Sequence, residues 1–440
     1  MPATPPGSPP LRTPPPPRQT PAASAPCPSP DPGIANSAQT TKQVHLTQGP
    51  TRLIPTGTRS QIPKGKNHAE REKREGLQVY LNGAVSRLLD LGRDVSPVPH
   101  PSTLYISPSS TTTAIMTATT TYALDRPISE TGGPEHVRQA LAGSAVEPAN
   151  YSFHADDGTR LVYHVTGHGP ELVLGTSPGW GPGINYIVSG FQPLSTSGRA
   201  TLVVLQTRGT LPSAHPADET RMGSRHMAAD LDALRRHLLV DKPVTVLGHS
   251  NGGAIALAYA ADFPSHCARA VLLGAQVIGA KDQGPIFMRA LEARQDDPRF
   301  APAVARFRSI LGAEAGFAGD EDLTEFIQAV LPLYFHEPAP GVAQFARDTG
   351  PLVVQNWANA KQRAADAQPE AVVIGDLGKV TADVLIVSGS DDFICSVDAS
   401  AQAKEAIGSK ARHVVYEECG HMAWIEKKDE FFKELLAFLP

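Results

Sequence analysis

The sequence predicts an α/β protein with a mostly parallel sheet. From residue 121 onward, short apolar segments typical of buried strands alternate with helical patterns. A helical, strand-free stretch at 276–375 interrupts this alternation. A glycine-rich turn, GHSNGG at 248–253, joins one predicted strand directly to the next helix. Alternating strands and helices imply a parallel sheet that helices cover on both faces.

The predicted elements follow one another in a regular order. The segment 151–176 predicts three strands, separated by an Asp-Gly turn and a Gly-Pro turn. Further apolar strands are predicted within 200–209, 243–248, 266–275, 381–392 and 412–421. Helical patterns precede, separate or follow them at 135–143, 226–240, 401–407 and 429–439.

The first 120 residues differ from the rest of the chain. Fourteen of the 41 prolines lie within the first 32 residues, a composition that cannot bury enough apolar surface to order itself. An isolated helix is predicted at 64–94, and residues 95–120 are again rich in Ser, Thr and Pro. Met116 is an alternative start. We therefore expect a largely disordered tail at 1–120, the first part of a core at 121–275, a helical cap at 276–375 and the rest of the core at 376–440.

Composition narrows the class of protein. Hydrophobic residues make up 41% of the chain, charged residues 19%, and the formal net charge is −5, so nothing indicates a nucleic-acid partner. The four cysteines have neither zinc-site nor redox spacing, and we expect reduced thiols. No apolar run is long enough to span a membrane, and no secretory signal is visible. We expect a cytoplasmic protein that binds a small molecule; the oligomeric state stays open.

Ser250 lies in the glycine-rich turn between a predicted strand and a predicted helix. This arrangement is typical of a nucleophile elbow, in which small neighbours such as Gly248 and Gly252 let strand and helix approach. A phosphate-binding loop is the alternative, but the G-x-G-x-x-G and P-loop patterns are absent. The backbone N–H of Asn251 would then face a developing oxyanion.

A serine nucleophile needs a base and an acid that orients the base. Two later strands end in loops that supply these groups at the same sheet edge. We expect Asp392 to be the acid, with Asp391 as runner-up, and His421 to be the base. His249 lies too close to Ser250 in sequence, and His413 is at the wrong end of its strand.

A second oxyanion donor is expected from the loop SPGWGPGINY, which follows the predicted strand ELVLGT. Its Gly and Pro residues form rigid turns that expose backbone N–H groups. We predict the N–H of Trp180 as the donor, with that of Gly181 as the alternative.

Together these motifs resemble the α/β-hydrolase superfamily and, within it, the prolyl iminopeptidase-like branch. The matching stretches are GWGPG at 179–183, TRGT at 207–210, the GHSNGG turn, GSDD at 389–392 and GHMAWIE at 420–426. The resemblance covers about residues 150–440. It departs from the branch at the elbow, where that branch usually has Gly-Gly-Ser-Trp-Gly, and at the first histidine of the Gly-rich loop. The resemblance implies a helical cap between elbow and acid.

The 142 positions between Ser250 and Asp392 leave room for such a cap. Tyr334, Phe335 and Trp357 are candidates for lining an acyl or ring pocket there, and core packing of the cap is the alternative for each. An aminopeptidase also needs pocket carboxylates to hold the substrate ammonium. Among the cap acids Asp320, Glu321, Asp322, Glu325, Glu337 and Asp348, the first four lie in one exposed-looking run, and Glu337 is the best candidate.

The sequence thus predicts a serine hydrolase that needs no metal or organic cofactor. We expect it to cleave an ester, lactone, thioester or amide of a small organic substrate through a covalent acyl-enzyme, with a largely apolar ester, lactone or thioester favoured and a role in secondary metabolism. Release of N-terminal prolyl residues is the alternative activity. A non-catalytic ligand-binding protein of the same fold is a third interpretation, disfavoured because all three residues of the triad are present.

Overall fold

A computed structural model describes residues 122–311 and 316–440. The expected 1–120 segment, including the predicted helix at 64–94, lies outside the described residues. Within them, one sheet contains nine strands. These are β1 (Ile128–Ser129), β2 (Ala149–His154), β3 (Arg160–His168), β4 (Glu171–Thr176), β5 (Ala200–Gln206), β6 (Val244–His249), β7 (Cys267–Leu273), β8 (Asp383–Gly389) and β9 (Ala411–Tyr416).

The helices fall into three groups along the chain. Those before β7 are α1 (Gly133–Leu141), α2 (Asn185–Gly190), α3 (Gln192–Ser195), α4 (Ser224–His237) and α5 (Asn251–Asp262). Between β7 and β8 lie α6 (Gln283–Arg294), α7 (Ala301–Ile310), α8 (Asp320–Val330), α9 (Pro338–Thr349) and α10 (Asn356–Asp366). The C-terminal group is α11 (Val397–Ile407), α12 (Ala423–Glu426) and α13 (Lys428–Phe438). Short 3₁₀ helices lie at Ala123–Asp125, Leu331–Tyr334, Pro369–Ala371, Ile374–Lys379 and Gly408–Lys410.

The strand order is β1-β2-β3-β5-β4-β6-β7-β8-β9. Strand β3 is antiparallel to both its neighbours, and all other pairs are parallel. Neighbouring parallel strands end at one edge of the sheet, since Thr176 pairs with Gly248 and His249 with Leu273. The predicted α/β class with a mostly parallel sheet is confirmed, and the loops that carry the candidate site leave this one edge.

Both faces of the sheet are buried, which explains the continuous apolar runs of its strands. Successive residues of a strand point to opposite faces. Along β8, Val384 and Ile386 join the core under α4 and α5, whereas Leu385 and Val387 join the core under α12 and α13. The helices between β7 and β8 have a third core of their own, centred on Phe287, Phe307 and Phe326. Among the described residues, no helix combines the length and apolar character needed to cross a membrane.

Arg208 forms a deeply buried ion pair next to the sheet. Its guanidinium donates two hydrogen bonds to Asp230 on α4, from Nε to Oδ2 at 2.7 Å and from Nη2 to Oδ1 at 2.5 Å. Its Nη1 also donates to Asp157 Oδ2 in the β2–β3 turn at 2.8 Å. Side-chain exposure of Arg208 and Asp230 is 2% each. Through Arg208, the TRGT loop after β5 is thus linked to helix α4 and to the β2–β3 turn.

We expect Asp230→Ala to lower the free energy of unfolding by about 3–5 kcal/mol, because it leaves the Arg208 charge buried without its bidentate partner. Urea unfolding followed by circular dichroism measures this loss. Lys410→Ala is the matched control, since its 2.9 Å pair with Asp383 is exposed on both sides and is worth at most about 1 kcal/mol. Equal losses for the two variants would contradict the prediction.

His164 on β3 is buried and neutral. The amide group of Asn150 donates to the carbonyls of Ala123 and Arg126, so its Oδ1 faces His164 and accepts from Nδ1–H at 2.7 Å. Burial, followed by the charges of Arg126 and His136, lowers the pKa of His164 to about 4. The folded state therefore resists protonation at a pH where an unfolded histidine is already charged.

The sign of the resulting pH dependence follows from this lowered pKa. Below about pH 6.5 the unfolded chain takes up a proton that the folded chain refuses, so stability falls by up to about 1.4 kcal/mol per pH unit down to about pH 4. We expect the fall in unfolding free energy between pH 7 and pH 4.5 to be shallower in His164→Gln than in the wild type, by up to about 1.4 kcal/mol per pH unit. Other histidines with lowered pKa values, such as His249, contribute equally to the slope in both proteins. Parallel curves for the two proteins would contradict the prediction.

Candidate active site

Ser250 lies in a strained turn between β6 and α5. Its backbone has φ 57° and ψ −122°, a left-handed conformation that residues other than glycine rarely adopt. The turn packs so tightly that a Cβ on Gly248 would lie 1.9 Å from the carbonyl oxygen of Gly252. Only glycine fits at 248, as the sequence predicted for an elbow. Ser250 is partly exposed and lines a cavity at the sheet edge.

His421 is held from two sides in the loop after β9. Its Nδ1 lies 2.6 Å from Asp392 Oδ2, and its backbone N–H donates to the carbonyl of Tyr334 at 2.7 Å. The side chains of His421 and Asp392 are 1% and 0% exposed. His421 Nε2 is buried, lines the cavity and has no hydrogen-bond partner within 122–311 and 316–440.

The two candidate acids, Asp391 and Asp392, have different environments. Asp392 Oδ1 accepts backbone hydrogen bonds from Ile394 at 3.0 Å and from Cys395 at 2.9 Å, which leaves Oδ2 for His421. Asp391 turns away, with its Oδ2 2.5 Å from His336 Nδ1. The structure therefore brings Asp392 to His421 and places the runner-up at the edge of the cap.

The competing histidines are occupied elsewhere. His249 Nδ1 lies 3.0 Å from the Tyr186 hydroxyl, and its Nε2 lies 3.2 Å from the carbonyl oxygen of His421. Burial, with the nearby His421, lowers the pKa of His249 well below its ordinary value, so this ring is neutral. His413 on β9 points to the hydroxyl of Ser388, with 3.0 Å between Nε2 and Oγ.

Gly274, the first residue after β7, lies against the His421–Asp392 pair. A Cβ at this position would be 2.9 Å from His421 Nδ1 and 3.0 Å from Asp392 Oδ2. The backbone at Gly274 also has φ +44°, which disfavours a side chain. Because position 274, directly after β7, has no side chain, there is room for the His421 and Asp392 side chains.

The loop after β4 lies beside the elbow. The N–H of Gly179 donates to Asn251 Oδ1 at 2.8 Å, and Trp180 lines the same cavity as Ser250. Asn251 is the first residue of α5, so its backbone N–H has no acceptor within that helix. The two predicted donors, Trp180 and Asn251, therefore belong to segments that contact each other next to Ser250. Gly181, the alternative donor, has φ +99° and accepts from the Gln355 N–H at 3.2 Å.

A cavity of about 30 Å³ separates the sheet edge from the helical cap. From the core side it is lined, besides Ser250, His249, His421 and Met422, by Pro178, Trp180, Pro182 and Tyr186. From the cap side it is lined by Ile327, Leu331, Tyr334 and Phe345. No carboxylate is among these lining residues. The volume accommodates a group of about two or three heavy atoms.

Of the predicted pocket residues, the structure places only Tyr334 at this cavity. Phe335 is fully buried in the core under α12 and α13 and packs on Gly341. Trp357 stacks on His215, with 3.7 Å between the ring centroids, and does not line the cavity. Glu337 precedes α9, its side chain is 58% exposed, and it pairs with Arg299. The expectation that these three side chains face the pocket therefore does not agree with their positions.

Sequence reasoning missed two residues next to Ser250, Asp392 and His421. The Cys395 thiol lies beside Ser250 and Asp392; burial, and then the Asp392 charge, raise its pKa well above the ordinary value, so it stays protonated. Glu426 accepts backbone N–H groups from His336 at 2.8 Å, Glu337 at 3.0 Å and Gly420 at 2.7 Å. Glu426 is the last residue of the motif GHMAWIE, and that motif could have pointed to it. No sequence pattern pointed to Cys395.

No cluster of three or more His, Cys, Asp or Glu side chains suited to holding a metal ion occurs in the described part of the chain. Besides the Cys395 thiol, the candidates for chemistry at this sheet edge are the side chains of Ser250, His421 and Asp392 and the backbone N–H groups beside them.

Comparison with known proteins agrees with the fold. Residues 178–428, more than half of the chain, match the family described as the alpha/beta hydrolase fold. A 2-hydroxy-6-oxo-6-phenylhexa-2,4-dienoate hydrolase of Comamonas testosteroni is 25% identical over 290 residues, which cover 63% of this chain and 91% of the relative. A proline iminopeptidase of Lactobacillus crispatus is 23% identical over 248 residues, 53% of this chain and 76% of the relative.

Among solved structures, an alpha/beta fold family hydrolase from Bacillus anthracis superposes with a TM-score of 0.52 at 15% identity, covering 66% of this chain and 98% of that one. This likeness concerns the fold alone. The expected relation to prolyl iminopeptidases is confirmed by the sequence relatives. The chain belongs to the α/β-hydrolase fold family, and the expected enzyme class, a hydrolase, is confirmed.

Proposed function

We propose that this protein is a serine hydrolase that cleaves small, uncharged esters through a covalent acyl-enzyme on Ser250. The observation that supports the proposal most is the arrangement of Ser250 and His421 at one cavity. His421 Nδ1 is held by buried Asp392, and its Nε2, at that cavity, has no partner among the described residues. A base oriented in this way is what a serine hydroxyl requires to become a nucleophile.

In the proposed acylation step, the Ser250 hydroxyl oxygen attacks the ester carbonyl carbon while His421 Nε2 takes the hydroxyl proton. The carbonyl π electrons move to the oxygen, which the backbone N–H groups of Trp180 and Asn251 stabilise. The carbon–oxygen bond to the leaving group then breaks, and His421 returns the proton to the departing alcohol. Asp392 stabilises the imidazolium and keeps its orientation.

Deacylation repeats these steps with water as the nucleophile. His421 Nε2 takes a proton from water as its oxygen attacks the acyl carbon, and the tetrahedral intermediate again places its negative oxygen at the two N–H groups. The bond to Ser250 Oγ breaks, Ser250 regains its proton from His421, and the carboxylic acid leaves. All groups used belong to the chain, apart from substrate and water.

The cavity supports an uncharged, short acyl group as the substrate portion bound there. Its lining from Trp180, Leu331 and Phe345 is apolar, and its volume of about 30 Å³ offers room for about two or three heavy atoms, which suits a short acyl group. An apolar wall without a carboxylate offers nothing to a substrate ammonium, whose desolvation would be unfavourable. This disfavours an aminopeptidase.

Release of an N-terminal proline is the second candidate function, because relatives named proline iminopeptidase match over most of their length. The relative named as a dienoate hydrolase points instead to a small organic acid derivative. The exposed position of Glu337 removes the carboxylate that the sequence suggested for the peptidase, and so the ester is our first choice.

We expect Ser250→Ala to lower kcat for p-nitrophenyl acetate by about 10⁴-fold or more, because the covalent route is lost. A fluorophosphonate probe and mass spectrometry should locate the label on Ser250 in the wild type and find none in the variant. Cys395→Ala is the matched control, because it removes the other nucleophilic atom beside the site; it should retain the label. Labelling of Ser250→Ala would place the nucleophile elsewhere.

We expect p-nitrophenyl acetate to be preferred over the hexanoate, and both over proline p-nitroanilide. Leu331→Ala should raise the hexanoate-to-acetate ratio of kcat/KM by about 10-fold, since a buried side chain at the cavity wall is shortened by about two methylene-sized groups. Leu333→Ala is its control, because Leu333 is buried in the core of the cap and does not line the cavity. Efficient turnover of the anilide, abolished by Glu337→Ala, would favour the peptidase.

A further inference from the structure

The side chain of Asn251 hydrogen-bonds to four segments next to the candidate oxyanion hole. Its Oδ1 accepts the Gly179 N–H at 2.8 Å. Because a backbone N–H can only donate, the orientation of the Asn251 amide follows, and its Nδ2 must face acceptors. These are Gln276 Oε1 at 3.0 Å, Ser224 Oγ at 3.2 Å and Asp366 Oδ2 at 3.3 Å.

Asp366 is the anionic member of this network and the last residue of α10, a cap helix. Its Oδ1 accepts the Ser224 N–H at 2.7 Å, and its Oδ2 accepts the Ser224 hydroxyl at 2.6 Å. Gln362, one turn earlier on α10, also donates its Nε2–H to Asp366 Oδ2. Burial raises the pKa of Asp366, and these donors oppose the increase. The Asp366 carboxylate thus only accepts hydrogen bonds, since Ser224, Gln362 and Asn251 all donate to it.

The same helix contacts the loop after β4 at a second point. Gln355, the residue before α10, donates its backbone N–H to the carbonyl of Gly181 at 3.2 Å. Gln362 also packs against Gly179, where a Cβ would lie 3.1 Å from Gln362 Cγ. Both glycines that flank Trp180 are therefore held, directly or through Asn251, by residues of the cap.

We propose that Asp366 is a positioning residue that sets the oxyanion hole through Asn251, so that the hole is complete only when α10 is packed on the core. This inference rests on the proposed serine hydrolase function. Asp366 touches no reacting atom. It holds the Asn251 amide in the orientation that accepts the Gly179 N–H, and this hydrogen bond fixes the loop that presents the Trp180 N–H next to the Asn251 N–H.

The proposal links the cap to the rate of reaction as well as to substrate selection. A movement of α10 away from the core would break the Asp366–Asn251 and Gln355–Gly181 contacts together. The hydrogen-bond donors for the oxyanion would then lose their preorganisation, which is the property that makes such donors effective. Hydrolysis would be fast only with the cap closed.

The test is Asp366→Asn, which keeps the size of the side chain but replaces one carboxylate oxygen by an NH₂ donor. In either orientation of the new amide the NH₂ faces a donor: the Ser224 N–H at the Oδ1 position, or the Ser224 hydroxyl, Gln362 and Asn251 at the Oδ2 position. With p-nitrophenyl acetate we expect kcat to fall about 10- to 100-fold while KM stays within about two-fold, because a misplaced catalytic group affects the transition state more than substrate binding.

A transition-state mimic separates positioning from general destabilisation. Ethylboronic acid forms a tetrahedral adduct with a reactive serine, and one boronate oxygen occupies the oxyanion hole. We expect its Ki to rise by the same factor as kcat/KM falls. Glu219→Gln is the matched control, because it also changes a carboxylate that contacts α10, through Lys361 at 2.6 Å, but on the surface. An equal loss in this control would overturn the proposal.

Exchanging the two groups provides a rescue. Asn251→Asp keeps the acceptor for the Gly179 N–H but places a second carboxylate against that of Asp366. Because the two negative charges repel each other, we expect this variant to be as impaired as Asp366→Asn. In the double variant the new amide at position 366 can donate to the new carboxylate at position 251, and we expect at least about a 10-fold recovery of kcat over either single variant. A double variant no better than the singles would contradict the proposal.

Amide hydrogen exchange tests the network without relying on activity. We expect the Gly179 and Gln355 amides to exchange about 10-fold faster in Asp366→Asn and unchanged in Glu219→Gln, with both proteins folded by circular dichroism. Unchanged exchange at Gly179 would overturn the inference even in an active enzyme. A wild type that reacts with neither ester nor fluorophosphonate would refute the proposed function, whereas the exchange result would still decide whether Asp366 positions the loop.

Discussion

The close packing of β6 against α5 is the constraint on which the candidate site depends. Because the two backbones nearly touch at Gly248 and Gly252, the connecting turn is forced into the positive φ of Ser250, and its side chain projects beyond the sheet edge. The parallel register of the neighbouring strands brings the other candidate residues to the same edge. Strands β4 and β7 flank β6 and end level with it, so the loops that follow them begin beside Ser250. Strand β8 flanks β7 in turn and delivers Asp392 to the same edge.

Buried polar groups at this edge are satisfied by partners from different strands and helices. Asp392 accepts two backbone N–H groups besides its contact with His421, and His249 uses both ring nitrogens. In a low-dielectric environment such bonds are strong, and an unmade one is costly. The unpartnered His421 Nε2 is therefore informative. Among the described residues it is a buried nitrogen without a hydrogen bond, and it lies at the cavity that contains Ser250.

The helices between β7 and β8 contribute more than an apolar cover. The carbonyl of Tyr334 accepts the His421 N–H. Glu426 accepts the backbone N–H groups of His336 and Glu337 from the same cap segment and that of Gly420. At the other end of the cap, Asp366 and Gln355 contact the Asn251 amide and the loop after β4. Both His421, the proposed base, and the loop proposed to supply an oxyanion donor thus contact cap residues, which gives a physical reason for the cap to influence reactivity.

The sequence by itself determined those features that have a local physical cause. The parallel sheet follows from short apolar strands between helices, the elbow from glycines two positions either side of Ser250, and the loops of Asp392 and His421 from the ends of predicted strands. Tertiary structure decided the features that depend on how the cap packs on the core and on the direction in which each cap side chain then points. Phe335, Trp357 and Glu337 were pocket candidates because they lie in the predicted cap, with core packing as the alternative for the two aromatic residues. Packing places Phe335 in the core, stacks Trp357 on His215 and leaves Glu337 paired at the surface. Likewise, Asn251 and Asp366 are 115 positions apart. Their contact exists only because α10 packs on the start of α5, and no local pattern encodes such a contact.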